Sequence, residues 1–284
     1  MITVFGATGT TGAPLVDTLL AKGAQVRAVT SNAAKLEGLK AKGCEAVAAN
    51  FTDTAALEQA CAGAERIYLV TPAHLDMRQW KANAIAAAKA AGVQHVVLAT
   101  GLGASPKAGL TFGKWHSETQ ELLKESGLDW TFIQPTYFMQ NLLWQADNIA
   151  KNKVFLDDLG GPVSWIDARD IADVAAEALT GSGHAGKGYG LTGAEALSGE
   201  EVAAVLSDVT GQSITAAPLS ADDSKAAMMA GGMQDEVAAA MVELASLAPK
   251  GYLAGIETTV GDVLGRPARR LRDFVADNRD AFVQ

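Results

Sequence analysis

The chain has 284 residues, 49% of them hydrophobic and 19% charged, and a formal net charge of −9. That balance excludes global disorder, and an acidic chain without a basic tract excludes nucleic acid as a direct partner. No apolar run approaches the roughly 20 residues of a membrane span. The length suits one large domain or a core domain with a smaller appendage. The chain opens on a strand-like run with no charged leader, so no signal peptide is expected. Cys44 and Cys61 show neither metal nor redox spacing. A reducing cytoplasm is therefore the expected compartment, and no metal site is expected.

The first element is a β-branched and aromatic run, Ile2–Phe5, that stops at Gly6. Gly9 and Gly12 follow at three-residue intervals, and an apolar helical pattern begins at once over Pro14–Ala21. Strand, glycine turn and helix in that order form the context of a dinucleotide-binding loop. Gly6 allows the tight turn, Gly9 lets the backbone approach a pyrophosphate, and Gly12 lets the helix pack on the strand. The helix N-terminus adds N–H groups and partial positive charge.

Further strands are predicted at Gln25–Val29, Glu45–Ala49, Arg66–Val70, His95–Ala99 and Trp130–Ile133. Between them lie helices at Ala33–Ala41, Thr54–Cys61, Met77–Ala91 and Lys114–Glu125. Gly23, Gly43, Gly63, Gly92 and Gly127 sit where helices end. Beyond Pro135 the pattern loosens. Tyr137–Asn148 reads as a helix, Val163–Ile166 as a short strand, and Asp170–Leu179 as a helix whose start Asp167 and Asp170 should cap. Gly188–Leu191 reads as a strand, Ser198 and Glu201 as a capping box, and the chain from Asp222 onward as several helices ending with Leu271–Phe282.

These elements predict an α/β protein: a Rossmann-type, doubly wound parallel sheet of order 3-2-1-4-5-6, formed by residues 1–135. A smaller, mainly helical, substrate-binding region should occupy 136–284, part of it returning to the core sheet. Ligands of such sheets bind outside the carboxyl ends of the strands. The candidate nucleotide contacts at those ends are Gly6, Thr8, Gly9, Thr10, Thr11, Gly12, Ser31, Asn32, Lys35, Asn50, Phe51, Thr71, Pro72, Thr100 and Gly101.

Four passages carry a family resemblance: Val4–Gly12, Ala87–Val97, Ser126–Pro135 and Ile166–Ala172. In them the chain resembles the NmrA-like atypical short-chain dehydrogenase/reductase proteins, a group of type 2 quinone reductases, triphenylmethane dye reductases and redox-sensing regulators. The resemblance implies NAD(P)H as cofactor and, in its enzymes, hydride transfer without a bound flavin. The segment Thr30-Ser31-Asn32 with Lys35 has no carboxylate to accept from an adenosine 2′-hydroxyl, which favours NADP(H) over NAD(H). Many NADPH-using relatives carry arginine where Ser31 aligns, so the chain departs from that pattern.

The Tyr-x-x-x-Lys acid of ordinary short-chain dehydrogenases is absent: Pro72, Asn141, Gly193 and Ile256 stand four residues after Tyr68, Tyr137, Tyr189 and Tyr252. Acceptors that need little acid help, quinones and cationic dyes, therefore fit better than secondary alcohols. His116 aligns with a histidine of several relatives and is the candidate proton donor or orienting group; its structural alternative is a histidine bonded to the loop after Thr100. Lys114, one place from the lysine of quinone-reducing relatives, is the second catalytic candidate. Gln134, Tyr137, Phe138 and Asn141 are candidates for holding a flat aromatic substrate.

The leading expectation is an NAD(P)H-dependent quinone reductase-like enzyme. The alternatives are a non-enzymatic redox sensor that regulates a protein partner, and an imine or specialised-metabolite reductase. The C-terminal helices leave room for a homodimer.

Overall fold

The computed structural model describes residues 1–283. In chain order the elements are β1 (Ile2–Phe5), α1 (Gly12–Ala21), β2 (Val26–Thr30), α2 (Leu36–Ala41), β3 (Glu45–Ala48), α3 (Thr54–Cys61), β4 (Arg66–Leu69), α4 (Met77–Ala90), β5 (His95–Ala99), α5 (Thr111–Glu125) and β6 (Asp129–Pro135). There follow α6 (Ala146–Asn152), β7 (Val154–Asp157), α7 (Ala168–Thr180), β8 (Lys187–Leu191), α8 (Gly199–Thr210) and β9 (Thr215–Pro218). Four helices complete the order: α9 (Ala221–Ala230), α10 (Asp235–Ala245), α11 (Thr259–Leu264) and α12 (Leu271–Asp277). The chain divides into two compact units. The first is Met1–Gly109, Gly113–Gln134 and Ile171–Tyr189; the second is Leu110–Phe112, Pro135–Asp170 and the chain from Gly190 onward.

A seven-stranded sheet runs β3-β2-β1-β4-β5-β6-β8, the first six in the doubly wound order expected. Each adjacent pair from β3 to β6 is parallel, with Ile2 opposite both Val26 and Arg66, and His95 opposite both Arg66 and Asp129. Such strands are covered on both faces, which is why β1, β4 and β5 read as nearly continuous apolar runs. Phe5, Leu57, Leu69, Leu98, Leu123 and Phe132 form much of the core on one side of the first unit. Gly23, Gly43, Gly63, Gly92 and Gly127 all take positive φ, the left-handed conformation that ends a helix cheaply only at glycine.

The second unit departs from the sequence reading in three places. Tyr137–Asn148 is not one helix: a 3-10 stretch covers Met139–Gln145 and α6 follows. Tyr137 and Phe138 are held extended because the Ile166 N–H donates to the Tyr137 carbonyl (2.8 Å) and the Met139 N–H to the Ile166 carbonyl (2.9 Å). Val163–Ile166 is not a strand; Val163 and Ile166 make isolated bridges to Leu197 and Phe138. The last helix stops at Asp277, and a 3-10 turn covers Arg279–Ala281. A parallel pair, β7 with β9, forms a separate two-stranded sheet. The core of this unit gathers Leu142, Phe155, Val202, Leu206, Leu271 and Phe274.

Ser198 and Glu201 form the expected capping box of α8. Asp167 caps α7, its Oδ1 accepting from the Arg169 N–H at 2.8 Å. Asp170 does something else: its buried carboxylate pairs with Arg266 at 2.8 Å and with Arg269, whose backbone N–H also donates to it at 2.7 Å. One residue of α7 thereby fastens the Arg266–Arg269 segment.

Candidate active site

The loop from β1 to α1 is closed so tightly that two of its glycines tolerate no side chain. Gly6 has φ +68°, and a Cβ there would meet Val70 Cγ1 at 2.7 Å. A Cβ on Gly12 would lie 2.1 Å from the Gly6 carbonyl oxygen. Gly9 and Thr10 remain exposed on the open side of the loop. The ten-residue α1 starts there, with no acidic residue in its first turn to neutralise its positive end. This cradle suits an anionic group held by backbone N–H donors.

Thr11 has its side chain engaged away from the open side of the loop. Its hydroxyl accepts from Tyr68 Oη at 2.9 Å, and both side chains are buried, so Thr11 spends its side chain inside the core. Burial pushes the Tyr68 phenol up to about 12, the Thr11 bond partly opposing it. A tyrosine in the middle of a buried strand needs such a partner, and that was the available signal. Thr8 lies on the loop's other side, its hydroxyl 3.2 Å from that of Thr30 at the end of β2.

Beyond β2, Ser31, Asn32 and Lys35 are exposed. Asn32 caps the following 3-10 turn through Ala34 N–H (3.0 Å). At the end of β3, Asn50 shapes its own turn by accepting from the Thr52 N–H and hydroxyl. The half-buried Phe51 ring stacks on Trp80 at 6.1 Å and tilts against Phe5 at 5.8 Å, which makes it a wall of the core. After β4, the Thr71 hydroxyl is buried with no hydrogen-bond partner among the described residues, while Pro72 is exposed. A buried orphan hydroxyl beside the glycine loop fits a polar ligand group.

At the end of β5, Thr100 Oγ1 accepts from Gln120 Nε2 at 3.0 Å. Gly101 lies against the His116 ring: a Cβ on it would sit 3.1 Å from Cδ2 and 3.3 Å from Nε2. Burial, reinforced by the charge of Lys81, pulls the His116 pKa down to about 3. At neutral pH this imidazole is uncharged. A neutral imidazole keeps one N–H, so His116 can orient a group or donate through that N–H, but not as an imidazolium. Lys114 lies on a different face of α5 from His116. It is exposed on the helix face that carries Ser117, Glu118, Glu121 and Glu125, whereas His116, Gln120 and Leu123 face inward.

Gln134 lies in the first unit against Gly188. In the second unit Tyr137 packs edge-on against Trp165 at 5.6 Å, and burial together with nearby Asp158 pushes its phenol well up. Phe138 and Asn141 are half-buried. Among the described residues no group of three or more His, Cys, Asp or Glu is placed to hold a metal. Within the same limits no helix is long and apolar enough to cross a membrane.

Lys81 escaped the sequence reading. It is 1% exposed on α4, and its Nζ donates to the Ala99 carbonyl at 3.0 Å. The signal was present: Met77, Lys81, Ala84, Ile85 and Ala88 follow the helical spacing of one buried stripe, with a lysine at an apolar position.

Acid should unfold the protein in two overlapping stages. The buried His116 is kept neutral, so the unfolded chain binds the extra proton between about pH 6.5 and about pH 3, and stability falls as pH falls through that window. For Asp167, burial opposes ionisation, but the Arg169 and Gln140 hydrogen bonds outweigh it and hold the pKa low. Its contribution is complete above the unfolded value of about 3.9 and is lost as pH falls through the folded one. Urea midpoints measured from pH 7 to 4 should decline, and His116→Gln should flatten that decline.

A family model described as NAD(P)H-binding matches residues 6–182. The chain belongs to this NAD(P)H-binding family, and it is an NAD(P)H-dependent oxidoreductase. It is 44% identical to the NAD(P)H azoreductase of Xenophilus azovorans over 99% of both chains. It is 31% identical to quinone oxidoreductase 2 of Escherichia coli strain K12, over 97% of this chain and 98% of that protein. The crystal structure of the E. coli NADPH-dependent quinone oxidoreductase complexed with NADPH superposes with a TM-score of 0.86, at 30% identity, covering 98% of this chain and all of that one.

Proposed function

We propose that the protein reduces quinones, azo compounds or similar electron-poor aromatic acceptors by direct hydride transfer from NADPH, without a flavin. The observation that carries this reading is a nucleotide cradle without the tyrosine–lysine acid of ordinary short-chain dehydrogenases. His116 is uncharged, Tyr68 is locked to Thr11, and the Tyr-x-x-x-Lys pair is absent. Such a site suits an acceptor that is itself the electron sink and takes its protons from water. The azoreductase and quinone oxidoreductase relatives support the same class, and they do not favour a non-enzymatic sensor.

When bound, the nicotinamide supplies the hydride. The chain's part is to hold the pyrophosphate on the loop and α1 N-terminus, with the Thr10 backbone as donor and Gly9, whose own N–H is bonded to the Gly6 carbonyl at 2.9 Å, allowing close approach, and to offer polar contacts from Thr8, Thr71, Thr100 and Gly101. Ser31, Asn32 and Lys35 face the adenosine 2′-phosphate; Lys35 is exposed, and no carboxylate pairs with it among the described residues. Lys35→Ala should raise the KM for NADPH roughly fivefold, about 1 kcal/mol, and leave that for NADH unchanged. Equal losses for both nucleotides would contradict the assignment. Gln134, Tyr137, Phe138 and Asn141 contact the aromatic acceptor in this proposal, and the two buried free thiols suit a cytoplasmic enzyme.

The test is consumption of NADPH and NADH by protein whose visible spectrum shows no flavin, against a panel of quinones and azo dyes. Turnover with NADPH preferred is expected. Tight nucleotide binding with no turnover across the panel would overturn the reading.

A further inference from the structure

Lys81 is an expensive residue to keep where it is. Its side chain is 1% exposed, and among the described residues its Nζ makes one hydrogen bond, to the Ala99 carbonyl, and has no carboxylate within 4 Å. A methionine would fill the same space with no charge to desolvate. Local violations of this kind concentrate where function requires them.

The carbonyl it holds is in a particular place. Ala99 ends β5, and the next N–H, of Thr100, donates to the Ile133 carbonyl of β6 at 2.8 Å. The Ala99 carbonyl therefore points the other way, towards β4. That strand has ended at Leu69, paired with Leu98, so no strand N–H reaches the carbonyl. Lys81 fills the gap from α4. Two further side chains grip the same three residues from α5: Gln120 on the Thr100 hydroxyl and the His116 ring on Gly101. Ala99-Thr100-Gly101 is thus clamped at the carboxyl end of β5, the end at which doubly wound sheets bind their ligands.

We propose that Lys81 is a positioning residue for hydride transfer, its buried ammonium fixing through the Ala99 carbonyl the Thr100–Gly101 backbone and the neutral His116 that rests on it. The proposal rests on the reading of Thr100 and Gly101 as nucleotide contacts in a reductase. Burial alone lowers the Lys81 pKa to about 7, so the clamp loosens as pH rises through neutrality and the ammonium becomes a weaker, uncharged donor. None of the neighbouring groups that burial shifts moves into that window. Cys61 on α3 and Tyr68 on β4 are pushed up to about 12, His116 on α5 is down at about 3, and His95 on β5 is lowered and bonded to Thr131. Arg78 on α4 and Glu118 on α5 are paired with each other, and Glu58 on α3 is exposed.

The experiment is the pH dependence of kcat, at saturating NADPH and quinone from pH 6 to 9, for wild type and Lys81→Met. Wild type should lose turnover above about pH 7. Lys81→Met should be slower by about tenfold to a hundredfold at pH 6.5, the scale of a small misplacement, with the quinone KM little changed and the pH limb gone. Wild-type kcat in the variant, or the same limb in both proteins, overturns the proposal. If Lys81→Met does not fold, NMR of the Lys81 Cε in nucleotide-free wild type decides. A titration midpoint matching the kinetic limb supports the proposal, and one more than a unit away overturns it. A wild type that binds NADPH but turns over no acceptor fails the reductase reading itself and takes this proposal with it, a result distinct from normal turnover that ignores Lys81.

Discussion

Gly12→Ala should abolish useful NADPH binding while leaving a folded protein. The added Cβ would lie 2.1 Å from the Gly6 oxygen, 2.7 Å from its carbonyl carbon and 3.1 Å from Ala7 Cα. All three are backbone atoms, so no rotamer change relieves the clash and the loop must open. Overpacking of this kind costs about 1–3 kcal/mol. Here the strain falls on the loop whose closed shape presents Gly9 and Thr10, so the cost appears mainly in binding, at about a hundredfold in Kd or more. Gly23→Ala is the control. Its φ is +75° and nothing lies within 4 Å of the new Cβ, so it should cost about 1 kcal/mol of backbone strain and no affinity. Calorimetric titration with NADPH checks both variants; equal affinities for wild type and Gly12→Ala would contradict the loop assignment.

Asp170→Ala should be the most damaging single change to stability in the second unit. The carboxylate is fully buried and holds Arg266, Arg269 and the Arg269 backbone N–H. Removing it takes the shared buried carboxylate from two guanidinium groups, and breaking a buried pair costs about 3–5 kcal/mol. The arginines are 36% and 29% exposed and can partly rehydrate, which places the effect near the lower figure. Glu37→Ala breaks the exposed pair with Lys40, where Glu37 is 84% exposed, and should change stability by less than about 1 kcal/mol. Urea unfolding separates the cases, and an Asp170→Ala protein as stable as Glu37→Ala would refute the anchoring role.

The sheet was readable because its strands carry uninterrupted apolar runs and its helices end on glycines forced to positive φ. The region after Pro135 was less so. Four-residue β7 and β9 are too short to show a period, and Ala216, Ala217 and Pro218 give little strand signal. The extended Tyr137-Phe138 pair depends on Ile166, a contact 28 residues away that no local pattern reveals. In the site, the glycine loop was plain in the sequence, whereas the inward turn of Thr11 depended on Tyr68, 57 residues on. His116 stood out by residue type, but its ionisation is set by burial against Gly101 and by Lys81, which only the folded chain brings together. Lys81 is visible in the sequence as a charged residue on an apolar stripe, but lysines seldom stay buried, so the stripe alone does not mark it as inward-facing.

The central claim is that hydride passes directly from NADPH to an aromatic acceptor on a protein with no flavin. The most direct measurement is the rate of quinone reduction by flavin-free protein under anaerobic conditions, with NADPH and with NADPH deuterated at the transferring C4 position. One NADPH consumed per quinone reduced, with slower turnover for the deuterated nucleotide, is the predicted result. Nucleotide binding without consumption, or turnover that appears only when flavin is added, would contradict it.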